Sequence, residues 1–186
     1  MAFATISDEE FLDRALDLFR TYGFEGVSLS RLSAAAGLEK ASLYYRFPGG
    51  KEEIAMAVGN RVIEWFQQNV FASLQGEGAP RKRVALVAEH LRSFYQDGRK
   101  SCICDVLSIP GGSEALHSTI QGAMQAWIHS FAEIARESGF SPAMARSRAE
   151  EAVLRIEGSL VIARVLGEAS QFKRTLKSLP DFLTEA

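Results

Sequence analysis

Apolar residues recur at helical spacing along nearly the whole chain, and glycine, proline and capping residues break the pattern into segments. Phe11, Ala15, Leu18, Phe19 and Tyr22 follow at i, i+4, i+7, i+8 and i+11, which predicts an amphipathic first helix. Ser7 with Glu10 three residues on reads as a capping box, and Gly23 closes the helix. Ser28 is placed to cap a short second helix with Leu29, Leu32, Ala35 and Ala36 on one face, stopped by Gly37. Leu38 lies in the turn and plugs the angle to a third helix, about Glu39 to Phe47, which ends at Pro48. Leu43 and Phe47 are four residues apart and point into a core. Lys40, Ser42, Tyr44, Tyr45 and Arg46 are left on exposed positions.

The helical pattern continues. A long fourth helix begins near Lys51 with Glu52 and Glu53 in its first turn. It carries Ile54, Val58, Val62, Trp65, Phe66 and Val70, and ends before Gly76. This helix is expected to be the only long connection from the N-terminal helices to the rest. Val84, Val87, Leu91, Phe94 and Tyr95 mark a fifth, stopped by Asp97-Gly98. Cys102 to Ile109 is a short apolar segment broken by Pro110-Gly111-Gly112. Ser113 caps a long helix bearing Leu116, Ile120, Met124, Trp127, Phe131 and Ile134, up to Gly139. Ser141 and Pro142 open another, lined by Val153, Ile156, Leu160, Ala163 and Leu166 up to Gly167. The last carries Phe172, Leu176, Leu179, Phe182 and Leu183, with Pro180 either kinking it or opening a final turn. No alternating strand pattern or internal repeat is present, so the fold class is all-α, with about nine helices.

Two short helices joined through a glycine turn, the second rich in hydrogen-bond donors, form a helix-turn-helix reader of the DNA major groove. The first helix completes a three-helix headpiece. Net charge qualifies this picture: the chain carries −2, and residues 1–50 hold five Arg/Lys against seven Asp/Glu. The basic footprint is local, with Arg31, Lys40, Arg46 and Lys51 around the reader. At 186 residues the chain holds one large domain or two small ones. No apolar run approaches the ~20 residues of a membrane span. The acidic start MAFATISDEEF lacks a basic-then-apolar export pattern, and only two cysteines, Cys102 and Cys104, are present, which together predict a cytoplasmic protein. The Cys-x-Cys pair lacks partner ligands for a metal, since His90, His117 and His129 are scattered; as thiols the two cysteines are candidate redox sensors or plain core. With no nucleophile elbow, P-loop or paired-histidine motif, neither an enzyme nor a cofactor is expected.

The stretch GFEGVSLSRLSAAAGLEKASLYYRFPGGKEEI resembles the DNA-binding signature of the TetR family of bacterial transcriptional regulators. The resemblance rests on Gly23-Phe24, Ala35-Ala36-Gly37, Lys40, Leu43-Tyr44 with Phe47, and Lys51. Glu39, Val27 and Arg46 depart from the family's usual residues. The resemblance implies a DNA-binding domain over 1–50, contacting operator DNA through Ser28, Arg31, Lys40, Ser42, Tyr44, Tyr45, Arg46 and Lys51. It also implies a helical ligand-binding and dimerisation domain over 51–186. Trp65, Phe66, Phe94, Tyr95, Met124, Trp127 and Phe131 sit at core-like spacing; by resemblance they become candidates for the lining of an effector pocket. Gly158, Ser159, Ala163 and Gly167 are small enough for close helix approach. By resemblance they form the homodimer interface, with Phe172 and Leu176 on the last helix. The run from Ser101 through Ile156-Glu157-Gly158-Ser159-Leu160 and Ala163-Arg164 to Leu179-Pro180 is similar to the LmrA/YxaF-like subgroup. The function implied is a homodimeric repressor, released from a near-palindromic operator by a small molecule, with no membrane partner. The alternative is a helical ligand-binding or interaction protein with weak or no operator affinity.

Overall fold

The structure, a computed structural model, describes residues 6–108 and 113–185. The described residues are helical, with no strand among them. The α segments are α1 (Asp8–Gly26), α2 (Leu29–Ala36), α3 (Lys40–Arg46), α4 (Gly50–Phe66), α5 (Ala72–Gln75), α6 (Pro80–Phe94), α7 (Ile103–Leu107), α8 (Glu114–Glu137), α9 (Pro142–Leu166) and α10 (Ser170–Thr184). A π-helical segment, Gln67–Phe71, joins α4 to α5 without a break, so the expected single fourth helix contains a π segment. The expected end of the short apolar stretch at Ile109 and the break at Pro110-Gly111-Gly112 lie outside the described residues. Pro180 stands within α10 and opens no separate turn. It is buried with Leu179 and Leu183, and that burial offsets the hydrogen bond the ring removes. No helix among the described residues is long and apolar enough to cross a membrane.

The chain divides into two compact units, Met1–Ile63 with Ile103–Ile120, and Glu64–Cys102 with Gln121–Ala186. Of the three dividing points, two fall inside α4 and α8, and the third lies just before α7. The fourth helix is therefore not the only long connection, because α8 also begins in one unit and ends in the other.

In the first unit, Phe11, Ala15, Phe19, Val27, Leu32, Leu43, Phe47, Ile54 and Val58 form the buried core. The Ser7 hydroxyl accepts from the Glu10 backbone N–H at 3.1 Å, while the Glu10 carboxylate accepts from Arg14 instead of turning back. Gly23 breaks the helical dihedrals at φ 72°, and one further turn then carries Phe24 into the core. Tyr22, expected on the buried face, is exposed, with the Arg31 guanidinium 3.9 Å from its ring centroid. It directly precedes the break at Gly23, after which Phe24 is the side chain that is buried. Glu52 on α4 accepts from the Ser113 backbone N–H at 2.8 Å, tying the start of α8 to α4.

In the second unit α10 packs on α6 and α9. Gly98 adopts φ +91°, and a Cβ there would lie 3.0–3.2 Å from atoms of the buried Phe172. Both the dihedral and the space call for glycine. Gly98→Ala should cost about 2–4 kcal/mol from strain plus overpacking, lowering the melting temperature by roughly 5–10 °C. Thermal melting followed by circular dichroism measures this, and an unchanged melting temperature would show that the turn relaxes freely.

Candidate nucleic-acid interface

The reader is built from a cap, a turn and an anchored helix. The Ser28 hydroxyl accepts from the Arg31 backbone N–H at 3.2 Å and so starts α2. This satisfies one of the donors that a helix N-terminus leaves open, a cap worth about 1 kcal/mol. The Ser28 O–H remains available to donate outward. Gly37 ends α2 in the left-handed conformation at φ 66°, and the buried Ser33 hydroxyl donates to the Leu38 carbonyl at 2.6 Å. These two features fix the angle at which α3 leaves the turn. Leu43 and Phe47 then bury the inner side of α3, and the Phe47 ring meets Phe11 of α1 at 5.2 Å between centroids.

With that side buried, Lys40, Ala41, Ser42, Tyr44 and Tyr45 are exposed, Tyr45 to 89%. Tyr44 stands beside the start of α4, where a Cβ on Gly50 would lie 4.0 Å from its ring. The face therefore presents an ammonium, a serine hydroxyl and two phenols. These are donors and acceptors that can reach base edges or phosphates.

The remaining cations of the sequence reading are placed differently. Arg46 is half-buried and donates from Nη1 to the Ile6 carbonyl (3.0 Å) and to Asp8 Oδ1 (3.1 Å). Lys51 donates to the Phe24 carbonyl at 3.1 Å, with Nζ 4.2 Å from the Phe24 ring centroid and 3.9 Å from Glu25 Oε2. Arg31 donates to the Gly26 carbonyl at 2.9 Å while its guanidinium covers Tyr22. All three hold the two ends of α1 and the loop after it in place. The unit thus brings together Ser28, Lys40, Ser42, Tyr44 and Tyr45 on open surface, with Arg31, Arg46 and Lys51 as braces.

The candidate effector residues lie in the second unit as one set of touching rings. Trp65 stacks on Phe94 at 4.1 Å, Phe66 meets Trp127 at 5.0 Å, and Trp127 meets Phe131 at 6.0 Å. Phe94 meets Tyr95 at 5.0 Å, and Tyr95 reaches Phe172 at 5.9 Å. Met124 is half-buried on α8, one turn before Trp127. The indole N–H of Trp127 is buried without a hydrogen-bond partner.

Of the candidate interface residues, Gly158 and Gly167 are exposed, whereas Ser159, Ala163, Phe172 and Leu176 are buried within the chain's own fold. Leu166, expected along the inner line of its helix, is exposed. A second apolar stripe on α9, not expected from the sequence, faces outward. Leu154, Val161, Ile162, Val165 and Leu166 are all exposed, Val165 to 74%. Their spacing of i, i+7, i+8, i+11 and i+12 was the signal that a second face of this helix needs cover.

A helical chain that holds such a reader over a buried anchor is built as a helix-turn-helix transcriptional regulator. Residues 11–58 match the family of bacterial regulatory proteins, tetR family, and residues 80–178 match the transcriptional regulator LmrA/YxaF-like C-terminal domain. The chain is 26% identical over 186 residues to the HTH-type transcriptional regulator LmrA of Bacillus subtilis, covering 95% of this chain and 96% of LmrA. It is 25% identical over 166 residues to the HTH-type regulator YxaF of the same organism, covering 84% of each. A TetR transcriptional regulator from Legionella pneumophila shares the fold with a TM-score of 0.80 at 18% identity, over 97% of both chains. The chain belongs to the TetR family of transcriptional regulators, with an LmrA/YxaF-like C-terminal domain.

The geometry separates reader from brace, and substitution should separate them too. Lys40→Ala, Tyr44→Ala and Tyr45→Ala should each weaken operator binding by about 1–3 kcal/mol with the helical circular dichroism intact. Arg46→Ala should instead lower stability, by about 1 kcal/mol. Electrophoretic retardation and thermal melting of the four variants distinguish the roles. Wild-type affinity in all three reader variants would remove this face from the contact.

Proposed function

We propose that the protein is a repressor that binds a near-palindromic operator as a homodimer and leaves it when a small molecule occupies the C-terminal helices. The observation that supports this most is the exposed donor face of α3 above its buried anchor. One such reader covers a half-site, so two-fold symmetry has to supply the second, about 34 Å or a multiple of one DNA turn away. In this reading residues 1–50 carry DNA contact, and residues 51–186 carry effector binding and dimerisation.

The dimer face we assign is the exposed stripe of α9, Leu154, Gly158, Val161, Ile162, Val165 and Leu166. A row of large aliphatic side chains left in water costs free energy that a second copy removes, at about 25 cal/mol per Å² covered. Ser159, Ala163, Phe172 and Leu176 serve that face from beneath, by seating α9 on α10. The effector reading rests on the ring cluster around Trp65, Phe66, Phe94 and Trp127, and on the unpartnered indole N–H within it. An effector weakens operator binding only by preferring the state that does not fit DNA, with a coupling of about 1–3 kcal/mol.

Val165→Asp would bury a charge in that dimer, so it should yield monomers in sedimentation and lose operator binding while keeping its helix content. A monomeric wild type at micromolar concentration would contradict the dimer. An effector should quench Trp65 and Trp127, and operator DNA should weaken it by the same factor by which it weakens the operator. A compound that quenches both indoles and leaves operator affinity untouched would end the effector reading.

A further inference from the structure

The second unit contains a cleft of about 710 Å³ that has no part in the reader, the ring cluster or the α9 stripe. Leu74, Ile134, Phe140 and Pro142 give it apolar walls. Arg83 also lines it, although this residue is only 7% exposed. Its Nη1 donates to the Leu74 carbonyl at 2.5 Å, its Nη2 donates to Glu137 Oε1, and its buried Nε has no hydrogen-bond partner. A guanidinium has five N–H donors, and a buried one left short of acceptors is costly. The bond to Leu74 gives Arg83 an anchor at the end of α5 besides Glu137. Glu137 is the last residue of α8, its side chain is 52% exposed, and it offers Arg83 a single oxygen. The hydrogen bond from Arg83 holds its carboxyl below the usual carboxylate range, so it meets the guanidinium as an anion.

The Nε/Nη2 edge of a guanidinium matches the two oxygens of one carboxylate. We infer that this cleft binds a small organic carboxylate with an apolar body, whose oxygens take Arg83 Nε and Nη2 in place of Glu137 while the body lies on Leu74, Ile134 and Phe140. The charge of the site selects this class. Arg83 and Arg136 are balanced there by Glu133 and Glu137, and Glu133 is paired with Arg136 at 3.0 Å. A singly charged carboxylate replaces Glu137 charge for charge, whereas a doubly charged phosphate would place one uncompensated negative charge on the single guanidinium edge that displacement frees. This inference uses none of the repressor reading and stands or falls separately from it.

The test is a backbone-amide NMR titration of the full chain with hexanoate and with hexanamide, its uncharged counterpart. Hexanoate should bind saturably, with shifts concentrated in residues 74–83 and 129–142. Hexanamide should bind about tenfold more weakly or worse, since the charge-assisted hydrogen bonds are lost. Glu137→Gln should tighten hexanoate, because the competing carboxylate is gone and the fold keeps its side-chain shape. Arg83→Lys, where circular dichroism shows it folded, should lose the preference for acid over amide. Equal binding of acid and amide would overturn the inference. So would a Glu137→Gln variant no tighter than wild type, or shifts that map to Arg174 and Lys177 on α10.

Discussion

A helix of seven residues has no stability of its own, because nucleation costs more than two turns of hydrogen bonds return. The reading helix α3 exists only because Leu43 and Phe47 are buried against the rest of the headpiece, with Phe47 on Phe11. That burial fixes the rotation of the helix as well as its presence, and so decides which side chains face outward. The left-handed Gly37 and the Ser33–Leu38 hydrogen bond set its direction, and neither touches the exposed face. The chemistry offered to DNA is thus the remainder after packing has taken its share.

Electrostatics follows the same order of priority. Most headpiece arginines are used internally: Arg14 on Glu10, Arg46 on Asp8, and Arg61 on Asp13 through two hydrogen bonds at 2.8 and 3.2 Å. These pairs offset part of the acidic charge that the first helix places near the reader. Exposed pairs of this kind add little stability, about 0–1 kcal/mol each, so their effect is chiefly on the field. Lys40 then stands with the uncharged Ser42, Tyr44 and Tyr45 on the exposed face of α3, and in the proposed reading that face would engage DNA through hydrogen bonding and shape more than through many phosphate ion pairs.

The helices were legible because their stop signals are local: Gly37, Pro48, Gly139 and Gly167 each end a helix within a residue or two of where the pattern breaks. The exposed side of α3 was legible for the same reason, from the four-residue spacing of Leu43 and Phe47. The internal hydrogen bonds of Arg46 and Lys51 were not legible, because their acceptors lie far along the chain, the Ile6 carbonyl 40 residues and the Phe24 carbonyl 27 residues away. In α9 the sequence shows apolar residues on two faces, and periodicity alone does not say which one its own chain covers. The structure puts Ser159 and Ala163 inward and Val165 and Leu166 outward. The π segment at Gln67–Phe71 left no mark in composition, since one widened turn changes the apolar phase too little to see.

The central claim is that α3 reads DNA as one of a symmetric pair. Hydroxyl-radical footprinting of the purified protein on DNA from upstream of its own coding sequence tests it most directly. The account predicts two protected half-sites related by an inverted repeat, their centres one helical turn or a multiple apart, about 10 base pairs per turn. A single unsymmetrical protected patch, or no protection at protein concentrations that saturate retardation, would contradict it.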